Sequence, residues 1–187
     1  SKDLETLVVA GKGADNLGMQ CGGWSIEWQG GQGDITIGTT ILDGIKKTVS
    51  ESTEIIYSED GTDVVPNPDN IAVVVIGEDP YTEWFGDKEN LDLKNDDINL
   101  IKSLKDKGLK VAVLLISGRP LNVADHIDQW DAFAAIWLPG TEGDGVSDVL
   151  FGDFGSTGRL SFPWPIKTEE GSNADKDNLL FEIGYGL

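Results

Sequence analysis

Residues 71–77 read Ile-Ala-Val-Val-Val-Ile-Gly, and the chain passes from them directly into Glu78-Asp79-Pro80-Tyr81-Thr82-Glu83-Trp84-Phe85-Gly86-Asp87. An unbroken β-branched run with no apolar–polar alternation is the pattern of a strand covered on both faces, as in a parallel sheet flanked by helices. Four more runs have the same character: LETLVVA (4–10), EIIYS (54–58), KVAVLLIS (110–117) and AFAAIWL (132–138). Between them lie helical periodicities. Thr39 to Val49 carries Ile41, Leu42, Ile45 and Val49 on one face, and Lys94 to Lys107 carries Ile98, Ile101 and Leu104 before the stop at Gly108. A shorter one runs from Gly145 to Phe151, with Val146, Val149 and Leu150. Strand and helix in alternation predict one α/β domain over residues 1–187, a three-layer α/β/α sandwich with a mostly parallel sheet of about six strands.

In such sheets ligands gather beyond the carboxyl ends of the strands. Three residue-rich loops begin there: GEDPYTEWFGD (77–87), SGRP (117–120) and PGTEGDG (139–145). The long segment AGKGADNLGMQCGGWSIEWQGG (10–31) leaves the same edge after the first strand, and loops of this length are more often functional than decorative. Gly152 to Gly155 and Gly158 to Leu160 read as a turn into a last strand. Lys167 to Asn178 reads as a polar surface loop.

Composition excludes several classes. The 33 acidic against 14 basic residues give a formal charge of −19, which repels nucleic-acid phosphates and anionic lipid. One cysteine, Cys21, and one histidine, His126, leave no intrachain disulfide and no multi-histidine metal site, and no cofactor is expected. Gly11, Gly13 and Gly18 echo a dinucleotide fingerprint with the wrong spacing and are read as turn glycines. No calcium-loop pattern occurs, and no stretch approaches the ~20 apolar residues of a membrane span. The N-terminal SKDLETLVVAG lacks the pattern of a signal peptide.

Trp24 and Trp28 in WSIEW suit either a core or an exposed platform; the flanking Gly-Gly pairs favour a loop. An exposed indole offers a flat apolar face, to which the C–H face of a pyranose is complementary, with Glu27 and Gln29 beside it for hydroxyls. Glu78 and Glu83 read by default as solvated acids. Glu83 differs in having Tyr81, Trp84 and Phe85 close by, since aromatic surroundings favour a protonated carboxyl, as a general acid requires. Arg119 is read as an ion-pair partner, and Glu142, Asp144 and Asp148 as acids that start and cap the short helix.

Taken in order, GKGADNLGMQCGGWSIEWQG, TIGTTILDGIK, VVVIGEDPYTEWFGD, VLLISGRPL, AAIWLPGTEGDGVSDVLFGDFGSTGRLSFPWP and FEIGYGL resemble the second, α/β sandwich domain of glycoside hydrolase family 3 β-glucosidases and β-glucan exohydrolases. The resemblance implies retaining, exo-acting hydrolysis of a β-glucan or β-glucoside. It assigns Glu83, the last residue of PYTE, as acid/base and Trp28 as the ring that clamps the sugar beyond the scissile bond, with Trp24 and Glu27 in the same motif. The aspartate nucleophile of that family lies in an N-terminal (β/α) barrel that nothing in these residues resembles. The barrel is therefore the implied partner, the chain alone is expected to be inactive, and the parent is expected to be secreted or periplasmic. A stand-alone glucan-binding or purely structural role is the alternative.

Overall fold

A computed structural model describes residues 1–167 and 178–186. Five strands, β1 (Thr6–Ala10), β2 (Glu54–Ser58), β3 (Ile71–Gly77), β4 (Lys110–Ile116) and β5 (Ala132–Trp137), form one sheet in the order β2-β1-β3-β4-β5, all parallel. The helices are α1 (Leu17–Cys21), α2 (Ile41–Thr48), α3 (Asn95–Asp106) and α4 (Gly143–Phe151).

The central run 71–77 feeds two cores at once because successive strand side chains point to opposite faces. Val73 and Val75 join Leu7, Val9 and the α2 residues Ile41, Leu42 and Ile45, with Val146 and Leu150 of α4 closing that side. Ala72, Val74 and Ile76 join Val8, Val113 and the α3 residues Leu100, Ile101 and Leu104 on the other. Helices thus cover both faces, as the strand pattern predicts. α2 begins where the Thr40 hydroxyl accepts the Asp43 N–H at 3.1 Å and ends with Lys46 and Lys47 in its last turn, each charge suiting the helix dipole.

Several expectations need correction. The sheet has five strands rather than about six, because the last strand predicted after Leu160 does not enter it. Trp164–Pro165 (β6) pairs antiparallel with Leu179–Phe181 (β7) as a separate ribbon. Pro163 and Pro165 on either side of Trp164 have no N–H to donate to a central ladder. Instead Trp164 plugs the α3-side core, its ring against Phe133, Trp137 and Phe181 and its Nε1–H donated to the Leu121 carbonyl at 2.9 Å.

The second concerns α4, which has Asp144 in its first turn as expected but starts at Gly143 without a side-chain cap. Glu142 accepts from the Thr141 hydroxyl at 3.2 Å, while Asp144 takes the Thr39 hydroxyl and Lys47, each at 3.1 Å. The third is Glu78, described below. The polar loop expected over 167–178 lies, between its end residues, outside the described residues.

Candidate functional site

β1 and β3 are neighbours, so the loops that follow them emerge side by side at the carboxyl edge. The loop after β1 carries the tryptophans and the loop after β3 carries Glu83. Two glycines let their backbones meet. A Cβ on Gly23 would lie 2.1 Å from the Tyr81 carbonyl oxygen, and one on Gly30 would lie 2.5 Å from the Gly22 carbonyl oxygen and 2.8 Å from the Pro80 side chain. The contact is fastened by Gln29, whose Oε1 accepts the Thr82 N–H at 3.1 Å.

The rings meet above this seam. Trp28 lies 6.3 Å from Trp24, 5.6 Å edge-on from Trp84 and 6.4 Å from Phe85. It is the hub of a four-ring cluster left open to solvent, with Trp24 69%, Trp84 74% and Phe85 72% exposed. Trp24 and Trp28 therefore lie at the surface rather than in the core. Trp24, Ile26 and Trp84 hold φ of 61°, 65° and 69°, a region that bulky side chains rarely occupy and that is stored mainly at functional sites. The Trp24 N–H donated to the Trp28 carbonyl at 2.9 Å closes the first of these turns.

Glu83 stands between two fixed neighbours. Thr82 is tied to Gln29, and Trp84 is packed on Trp28. Gly86 N–H bonds the Thr82 carbonyl at 2.8 Å, so Glu83 projects from a tight turn and is exposed. The aromatic residues near it in sequence therefore do not bury it: Trp84 and Phe85 turn to Trp28, and Tyr81 lies under the Arg119 guanidinium. Glu27 is exposed on the tryptophan turn. The structure thus brings Glu83, Trp28, Trp24 and Glu27 to one surface.

Glu78 is not the solvated acid that the sequence suggests. Only 7% exposed, it is paired with Arg119, whose Nη2 donates to its Oε1 at 2.8 Å, and Lys88 lies 3.7 Å away. The ion-pair role expected of Arg119 is met. Tyr81 fills the space beside them with the Arg119 guanidinium 4.2 Å over its ring, and burial, reinforced by the Glu78 charge, lifts its hydroxyl to about 12. Next along, burial works to raise the Asp79 carboxyl, but hydrogen bonds from Lys12 and Lys94, both 2.6 Å, outweigh it and hold Asp79 at about 2.

Two contributors escape sequence reasoning. Gln29 reads from the sequence as a partner for sugar hydroxyls, and only the fold sets its Oε1 against the Thr82 N–H. Glu78 is betrayed only by register: Gly77 and Ile116 are partners, so the residues just past them, Glu78 and Ser117-Gly118-Arg119, leave adjacent strand ends.

The model of the glycosyl hydrolase family 3 C-terminal domain matches residues 1–187. The exo-1,3/1,4-β-glucanase of a Pseudoalteromonas species superposes with a TM-score of 0.84 and 42% identity over 97% of this chain and 25% of its own. A lysosomal β-glucosidase of Dictyostelium discoideum is 28% identical over 98% of this chain and 26% of its own length. A periplasmic β-glucosidase of Salmonella typhimurium is 26% identical over all of this chain and 31% of its own length. The chain spans about a quarter to a third of the length of these three relatives, and among its described residues no helix is long and apolar enough to cross a membrane. The whole-length family match, joined to a five-stranded parallel sheet with helices on both faces, establishes that this chain belongs to the glycosyl hydrolase family 3 C-terminal domains.

Proposed function

We propose that this domain supplies the acid/base carboxylate, Glu83, and the platform for the departing sugar, Trp28, of a retaining exo-acting β-glucosidase or β-glucanase. The observation that carries the reading is the seam at Gln29–Thr82, which joins the loop of an exposed carboxylate to an exposed four-ring cluster. Cleavage of an unactivated glycosidic bond requires a proton donor at the departing oxygen, and a ring beside that donor offers the leaving sugar an apolar face.

In this mechanism a carboxylate from an N-terminal barrel attacks the anomeric carbon while Glu83 gives its proton to the departing oxygen. Glu83 then takes a proton from the water that releases the bound sugar, the two carboxyl groups standing about 5 to 5.5 Å apart. Closing the barrel over the open cluster excludes water from Glu83, which this chain alone leaves exposed. Trp24 and Glu27 form the outer wall of the platform. The substrate is a β-glucan or β-glucoside, in keeping with the names of the Pseudoalteromonas, Dictyostelium and Salmonella relatives. The parent acts outside the cytoplasm, secreted or periplasmic, in keeping with the Salmonella protein's name.

Glu83→Gln in the full-length enzyme tests the reading. Turnover of disaccharides should fall by about 10²- to 10⁴-fold, while an aryl glucoside whose leaving group needs no proton keeps most of its rate in the first step. Equal loss on both substrates would remove Glu83 from the proton-donor role.

The openness of the ring cluster also favours a second reading, in which the domain alone holds glucan without chemistry. Its affinity would be roughly millimolar, for want of an enclosing wall. Titration with laminari-oligosaccharides, followed by tryptophan fluorescence, distinguishes it: no response up to tens of millimolar, on the order expected for a half-site, rejects it.

A further inference from the structure

The segment that carries Glu83 is wrapped around one guanidinium. Arg119 Nη2 donates to Glu78 Oε1 at 2.8 Å, and Nε lies 3.2 and 3.3 Å from the two carboxylate oxygens. Nη1 donates to the Gly86 carbonyl at 2.6 Å, and the guanidinium plane covers the Tyr81 ring at 4.2 Å. One side chain therefore holds the start, the middle and the end of the Glu78–Gly86 segment. Gly86 in turn closes the turn through its N–H to the Thr82 carbonyl at 2.8 Å, and Glu83 is the next residue after Thr82.

Arg119 is rooted in the sheet rather than in the loop it holds. It follows β4 by a short step whose Ser117 hydroxyl donates to the Arg119 carbonyl at 2.6 Å. At Gly118 a Cβ would lie 2.8 Å from the Tyr81 hydroxyl, so the backbone there must stay bare for the ring to seat. A lysine cannot reproduce this arrangement, because a single ammonium lacks the planar fork that reaches a carboxylate on one side and a carbonyl on the other.

We propose that Arg119, held by Glu78, is the positioning residue for Glu83: it sets where the turn Thr82–Gly86 presents its carboxylate. The inference rests on Glu83 being the proton donor. It predicts a loss of kcat/KM that is larger on substrates whose leaving group needs the proton, because Arg119 bonds Glu78 and Gly86 at the two ends of the segment that carries Glu83.

The test compares Arg119→Lys and Glu83→Gln in the full-length enzyme that carries this domain, with laminaribiose and 2,4-dinitrophenyl β-glucoside as substrates. Arg119→Lys should lower kcat/KM on the disaccharide by about 10- to 100-fold, the cost of displacing a catalytic group by about an ångström, and on the activated glucoside by less than about threefold. Equal loss on both substrates, or no loss on either, overturns the proposal. If Glu83→Gln shows the split and Arg119→Lys does not, only the positioning role fails. If Glu83→Gln shows no split, the proton-donor assignment itself fails. Should Arg119→Lys not fold, as judged by its near-ultraviolet circular dichroism, Glu78→Gln serves in its place. It keeps shape and acceptor but removes the charge, and an unchanged ratio between the two substrates overturns the proposal equally.

Discussion

Gln29 and Thr82, 53 residues apart, are joined by a 3.1 Å hydrogen bond from the Thr82 N–H to the Gln29 Oε1. This one bond ties the tryptophan loop to the acid loop at the residue before Glu83. Thr82 is itself 7% exposed, so an N–H stripped of its acceptor there cannot turn to bulk water. Gln29→Ala should therefore destabilise the domain by about 1 to 3 kcal/mol and change the near-ultraviolet dichroism of the Trp28–Trp84 pair. Thr82→Val is the matched control, since it keeps the N–H and removes only a hydroxyl without a hydrogen-bond partner among the described residues; its effect should stay below about 1 kcal/mol. Urea unfolding of both variants decides. A larger loss from Thr82→Val than from Gln29→Ala would mean that the hydroxyl, not the amide, holds the seam.

Trp28 touches Trp24, Trp84 and Phe85, so beside the ligand-binding role proposed for it, it spaces its neighbours. The two roles separate by substitution. In the full-length enzyme Trp28→Ala should raise KM for disaccharides about tenfold, the worth of one aromatic contact, and Trp28→Phe should recover part of it. If stability falls while KM holds, Trp28 only supports the other rings.

The fold is largely legible because its signals are local. The runs at 54–58 and 71–77 coincide with β2 and β3, and the periodicity from Thr39 to Val49 contains α2, since a buried parallel strand and an amphipathic helix are each written in consecutive residues. What escapes is set by distant partners. Trp164 lies in a strand-like context, but its prolines and its bond to Leu121 assign it to the core beneath the sheet. The burial of Glu78 depends on Arg119, which reaches it only through the register of β3 and β4. The grouping of Glu83 with Trp28 is readable from the resemblance; where the neighbouring rings go is not, because Trp84 and Phe85 turn to Trp28 and Tyr81 to Arg119, partners distant in sequence.

Asp97, in the first turn of α3, is only 6% exposed. Burial pushes its carboxyl up to about 6, although Lys94, Lys12 and the Gly77 N–H pull the other way. An unfolded chain ionises this group near 3.8, so between about pH 4 and 6 the folded state holds more protons and stability falls as pH rises, levelling above 6. Asp79, held at about 2 despite its burial, has the opposite sign and loses stability as pH falls from about 4 to 2, but it is half exposed and its effect is small. Asp97→Asn should accordingly stabilise the domain at pH 7.5 by on the order of 1 to 3 kcal/mol, and the gain should vanish at about pH 4. Urea midpoints of the two proteins at both pH values measure it. A variant less stable than the parent at about pH 7.5 would mean that the ionised carboxylate, through Gly77 and the two lysines, offsets its own burial.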